Sequence, residues 1–129
     1  MRDDSMHPFV NWLGYTLELT DDACVVTLPL RPEVCNSSAM LQGGIVATLA
    51  DLAGGALAHR CATPGAVVTA DLNIHYLAPG RVGPIRATSR VVRAGKRLVI
   101  TGVEVVDVGA EDLLMAVASM SSAVVRPRP

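Results

Sequence analysis

Aromatic residues are scarce in this chain: one Phe, one Trp and two Tyr among 129 residues. Proteins that hold single-stranded nucleic acid stack its bases on aromatic rings, and so few rings disfavour that class. Neither sign of charge dominates, with 11 Lys and Arg against 12 Asp and Glu, a net charge of −1 and a pI near 6.3. A nucleic-acid-binding domain normally leaves a basic stripe, so no nucleic-acid partner is expected. Cysteine is sparse as well. Cys24, Cys35 and Cys61 are an odd number and form no C-x-x-C pair, which suits a reduced, cytoplasmic setting. The start, Met1-Arg2-Asp3-Asp4, is acidic and is followed by no apolar run, so no signal peptide is expected. Leu41 to Ala58 could pass for a membrane span by length, but it carries Gln42, Thr48 and Asp51. An Asp at mid-span costs about 2.5–3.5 kcal/mol on insertion scales, so a helix buried in protein is expected there, with no membrane partner. The G-x-S-x-G elbow, the G-x-x-x-x-G-K-[ST] loop and the G-x-G-x-x-G turn are all missing, which leaves a serine hydrolase and the common nucleotide sites unsupported.

What is present is a core and a regular order of elements. Half the residues are hydrophobic, enough for one domain over 1–129, with 1–7 and 126–129 expected as loose tails. Phe9, Val10, Trp12 and Leu13 form a short apolar cluster, read as a plug on the core rather than a lid. Tyr15 to Thr20 and Cys24 to Leu30 read as a hairpin about the Asp21-Asp22 turn. Ile45, Leu49, Leu52 and Ala56 recur at helical spacing, which predicts a helix from about Gly44 to Arg60. It is apolar nearly all round and so is expected to be buried. Val67 to Leu77, Ile85 to Val92, Leu98 to Val108 and Leu113 to Val125 read as four strands. Short connections make the last three an antiparallel meander. One sheet curled round one helix is an α+β fold. Its edge, Val67 to Leu77, is left to pair with a second chain, so a homodimer is expected, and beyond it a dimer of dimers.

The predicted helix carries the chemistry. Asp51 interrupts it, and the positions three and four residues away are Ala47, Thr48, Gly54 and Gly55, all small. Two glycines inside a helix cost about 1 kcal/mol each, so something is expected to approach that face closely. At the helix start, Gly43 and Gly44 expose backbone N–H groups at the positive end of the dipole. That suits a phosphate, or a carbonyl oxygen that gains negative charge during acyl transfer. Gly43 and Asp51 lie eight residues apart, about 12 Å along a helix. One carbonyl cannot touch both, so a shared reaction would need the helices of two subunits. In the strand Val67 to Leu77, strict alternation puts Val68, Ala70, Leu72, Ile74 and Tyr76 toward the helix. Thr69, Asp71, Asn73 and His75 would then point away from it. No metal is implied, since Asp71 and His75 are about 13 Å apart in a strand and His59-Arg60-Cys61 lacks further ligands.

The run from Asn36 through Gln42-Gly43-Gly44 to Leu49-Ala50-Asp51 resembles the signature of hotdog-fold acyl-CoA thioesterases, in the phenylacetate-pathway branch of the 4-hydroxybenzoyl-CoA thioesterase superfamily. Val68 to Gly80 and Arg93 to Leu98 resemble the family as well, and the likeness extends from about Trp12 to Val125. It implies a hotdog fold and hydrolysis of an acyl-CoA to free acid and coenzyme A, the latter a part of the substrate and not a cofactor. It implies a thioester carbonyl held by Gly43 and a nucleophile or general base, Asp51, from the opposite subunit. Asn36 would hold substrate or water, Thr69 would orient the attacking water, and Arg93, Lys96 and Arg97 would meet the phosphates of coenzyme A. The family's usual histidine before the glycines is Gln42 here, which can donate to a thioester oxygen but cannot titrate. A non-catalytic acyl-CoA-binding module is the alternative reading.

Overall fold

The structure is a computed structural model and describes residues 7–125. The segments 1–6 and 126–129, read from sequence as tails, lie outside the described residues. In chain order come α1 (Pro8–Leu13), β1 (Thr16–Leu19), β2 (Ala23–Leu28), α2 (Gly43–Ala62), β3 (Ala66–Tyr76), β4 (Ile85–Ala94), β5 (Leu98–Asp107) and β6 (Leu113–Val125). The strands form one antiparallel sheet in the order β1-β2-β4-β5-β6-β3. The expected hairpin, long helix and four later strands are all present, and β3 is an edge strand with one side unpaired.

The core lies between α2 and the concave face of the sheet. Leu49, Ala53 and Leu57 of α2 are fully buried against Val26, Leu28, Ile85, Ala87 and Val105 of the strands. Burying one such leucine or valine contributes about 1.5–3 kcal/mol. From α1 only Leu13 joins this core. Phe9 and Trp12 remain 52% and 47% exposed, so the cluster is not the plug read from sequence. Their rings stack on each other, and the Arg31 guanidinium covers Trp12 while donating to the Trp12 and Leu13 carbonyls. Those carbonyls belong to the last turn of α1, where a cation is favoured.

Two expectations need correction. First, α2 is buried on one side only. Its buried positions include Ile45, Leu49, Ala53 and Leu57, while Gly44, Ala47, Thr48, Asp51, Leu52, Gly55 and His59 stay partly or fully exposed. A single sheet can cover one side of a helix, and small residues count as apolar in a sequence whether or not they are covered. Second, the two adjacent glycines have different surroundings. A methyl at Gly54 would run into Met120 Sδ and sit 2.8 Å from Thr101 Oγ1, whereas one at Gly55 would meet nothing within 4 Å. The close approach at Gly54 is therefore made by the chain's own sheet. Gly54→Ala is expected to lower stability by about 1–3 kcal/mol relative to Gly55→Ala, the usual cost of overpacking a core. Urea denaturation of the two variants checks this, and equal midpoints would contradict it.

No helix among the described residues is long and apolar enough to cross a membrane.

Candidate active site

The parity of β3 decides where the site residues point. Thr69 pairs with Ser122 and Asp71 with Ser121, so Ala70 is an extra residue in the strand. A bulge of this kind resets the alternation of faces. Before it, Val67 and Thr69 face α2; after it, Leu72 and Ile74 do, and both pack on the core. Val68 faces away and is 57% exposed, which overturns its place on the helix side. Thr69 likewise moves to the helix side of its own chain. Its Oγ1 donates to Asp51 Oδ1 at 2.7 Å. Asp51 is half-buried, and among the described residues its second oxygen accepts nothing.

Beneath this pair lie two hydroxyls that the sequence reading passed over. Ser122 is the direct neighbour of Thr69 across the β3–β6 ladder, and Thr101 sits on the next strand below Gly54. Both are fully buried, and among the described residues neither Oγ has a hydrogen-bond partner. The first sits beside Thr69 and the second below Gly54, in an otherwise apolar layer.

Gln42 and Gly43 lie at the start of α2, and Asn36 in the loop that leads into it. Gln42 is the cap residue with an extended backbone, and Gly43 is the first helical residue. Among the described residues the Gly43 and Gly44 N–H groups have no acceptor. Gln42 does not turn toward them: its Nε2 donates to the Cys35 carbonyl at 3.3 Å. Asn36 Oδ1 accepts from the N–H groups of Ser38 and Met40, so it shapes the loop into α2 and makes no hydrogen bond to Asp51. Tyr76, at the far end of β3, donates its hydroxyl to the Gly43 carbonyl at 2.7 Å. A cavity of about 290 Å³ opens here, lined by Leu41, Gly43, Val46, Tyr76 to Gly80 and Met115.

The candidate residues of one chain thus fall at two levels. Asp51 lies level with Thr69, near the start of β3, and Gly43 lies level with Tyr76, near its end. Seven residues of strand separate the two levels, about 20 Å. Arg93, Lys96 and Arg97 sit exposed at the β4–β5 tip, around a cavity of about 390 Å³ floored by Leu98 and Ile100. Leu98 and Val68 flank Ala123 on neighbouring strands, which puts this tip at the Asp51 end and away from Gly43.

A buried carboxylate outside the candidate set braces the loop beside the Gly43 cavity. Asp107 is fully buried and accepts from the backbone N–H groups of Arg81, Val82 and Gly83 at 2.7–3.0 Å. Burial alone would raise its carboxyl, but those N–H groups and that of Ala110 outweigh it and hold it below the usual range. The preceding residue, Gly80, accepts from Leu41 N–H and so ties this loop to the one entering α2. Cys24 is ruled out as a nucleophile, because burial pushes its thiol up to about 11. Among the described residues no group of three or more His, Cys, Asp or Glu could hold a metal ion.

Comparison with known proteins agrees with this architecture. The chain is 36% identical over 108 residues to a protein of Halobacterium salinarum assigned as an esterase, covering 78% of this chain and 70% of that one. It is 34% identical over 82 residues to human acyl-coenzyme A thioesterase 13, covering 62% of this chain and 58% of the human protein. The crystal structure of AziG from S. sahachiroi superposes with a TM-score of 0.84 at 27% identity, over 93% of this chain and 98% of that one. The thioesterase superfamily model matches residues 40–114, from the loop before α2 into β6. This chain, a six-stranded antiparallel sheet wrapped round one long helix, is a hotdog-fold member of the thioesterase superfamily.

Proposed function

We propose that this thioester hydrolase cleaves acyl-CoA to free acid and coenzyme A, in a site that two copies of the chain build together. The Thr69–Asp51 hydrogen bond carries the reading. A hydroxyl fixed at 2.7 Å on one carboxylate oxygen leaves the other oxygen to take a proton from water, or to attack. The Gly43 N–H of the facing subunit, at a helix start, polarises the thioester carbonyl and stabilises the oxyanion. Asn36 and Gln42 keep that helix start in place by ordering the loop before it. The basic tip Arg93, Lys96 and Arg97 lies at the Asp51 end of the sheet. There it can meet the phosphates of a coenzyme A whose thioester lies between one subunit's Asp51 and the other's Gly43.

The pairing this needs is supplied by the free edge of β3, which can join its counterpart in a second copy and extend the sheet. The uncovered face of α2, with Gly44, Ala47, Thr48 and Gly55, gives a facing helix room to approach. A homodimer of this kind, associating further into a dimer of dimers in the cytoplasm, fits the phenylacetate-pathway branch of the superfamily. The test is release of free thiol from a panel of acyl-CoA esters, read beside their binding. Turnover supports the hydrolase reading. Saturable binding with no turnover would replace it with an acyl-CoA-binding module.

A further inference from the structure

We infer that the cavity beside Gly43 is the acyl pocket and that Met115 sets its depth, so that the preferred substrate carries a compact apolar acyl group. The inference rests on the hydrolase reading of the same site. Gly43, whose N–H would hold the thioester carbonyl, lines the cavity, so the acyl chain beyond that carbonyl has this space to enter. Its walls are mainly aliphatic, and the hydroxyl of Tyr76 is already engaged by the Gly43 carbonyl. An apolar occupant is required, since a polar one would meet few partners.

Met115 shapes the cavity in two ways. It is the extra residue of a bulge in β6, between the pairs Val106–Leu114 and Val105–Ala116. The bulge aims its carbonyl at β3, where it accepts from Leu77 N–H at 2.7 Å and Ala78 N–H at 3.1 Å. Those residues form one wall. Its side chain is 2% exposed and lies across from Gly80, where a Cβ would come within 2.5 Å of Met115 Cε and 2.9 Å of its sulfur. Gly80 is thus the residue that lets the thioether lie as the floor. The cavity holds about 290 Å³, and an apolar protein cavity of about 150 Å³ accepts benzene. One ring with a short linker fills this volume, or a chain of about six carbons; a long fatty chain would extend beyond it.

The experiment measures kcat/KM for acetyl-, hexanoyl-, phenylacetyl-, lauroyl- and palmitoyl-CoA with the wild type, Met115→Ala, Met115→Leu and Met115→Phe. All three substitutions keep the backbone carbonyl that holds the wall. The wild type is expected to prefer hexanoyl- or phenylacetyl-CoA. Met115→Ala should raise lauroyl over phenylacetyl at least about tenfold, the lower end of what one methylene is worth in an apolar pocket. Met115→Phe should shift preference the other way, toward acetyl. If Met115→Ala does not fold, Met115→Leu carries the test, with a smaller shift of the same sign. A wild-type preference for palmitoyl-CoA, or ratios unmoved in folded variants that still turn over, would overturn this inference alone. No turnover of any ester by the wild type would overturn the hydrolase reading and this inference with it.

Discussion

Asp51→Asn will fold as the wild type does and lose thioester hydrolysis by about 10²–10⁴-fold, the range that a positioned general base contributes. The substitution separates shape from charge. Asparagine keeps an oxygen that can accept the Thr69 hydroxyl, so the link between α2 and β3 can persist. Asp51 is half-buried and makes no ion pair among the described residues, so the fold does not depend on its charge. The chemistry does, because an amide oxygen neither takes a proton from water at neutral pH nor attacks a thioester. The comparison is free-thiol release by both proteins on the same ester, with melting curves beside it. Full activity in a folded Asp51→Asn would remove the carboxylate from the mechanism.

Asp107→Asn is the substitution expected to cost most stability. The wild-type carboxylate accepts from Arg81 and Val82 through Oδ2 and from Gly83 through Oδ1. An asparagine must turn its NH₂ toward one of these groups, which leaves at least one buried N–H facing another donor. The expected loss is about 3 kcal/mol, or on the order of 10 °C in Tm. Gly83 has φ of 80° and sits against Leu30, where a Cβ would come within 2.6 Å, so the loop has little freedom to rearrange around the amide. The carboxylate also fixes a pH dependence. Its folded pKa lies below the unfolded value, so more protons bind the unfolded state. The stabilisation is complete above the unfolded pKa, near 3.8, and is lost as pH falls through the folded value. Denaturation followed from pH 7 to pH 2 should show the gap between wild type and Asp107→Asn narrowing below about pH 4. A gap that stays constant across that range would mean the carboxylate's charge is not what holds the loop.

Much of this architecture could be read before any coordinates. The helical spacing of Ile45, Leu49, Leu52 and Ala56, and the Val- and Ile-rich runs after it, place α2 and the strands within a few residues. The glycine pair, Asp51 and Thr69 could be singled out by residue type and by family resemblance. The bulge at Ala70 could not be found this way. Val68 to Tyr76 alternates without interruption, and a bulge leaves no mark in composition while it inverts every face before it. That single residue turns Thr69 from an outward strand position into the partner of Asp51. The one-sided burial of α2 was hidden for another reason: Gly44, Ala47 and Gly55 look the same in a sequence whether a sheet covers them or not. Asp107 and Met115 read as ordinary strand residues, because their partners, Arg81 to Gly83 and Leu77 to Ala78, are distant in the chain.

The most direct test of a shared site is complementation between two inactive chains. Gly43→Pro removes the N–H at the first helical position, where proline is well tolerated, and the extended backbone of Gln42 already suits a following proline. Asp51→Asn removes the carboxylate. Each homodimer should be nearly inactive. In a mixed dimer, one of the two sites combines Gly43 of the Asp51→Asn chain with Asp51 of the Gly43→Pro chain. Co-expression at equal levels should therefore restore about a quarter of wild-type turnover, since half of randomly paired dimers are mixed and each has one intact site of two. No recovery from two folded chains that are shown to associate would contradict the shared site.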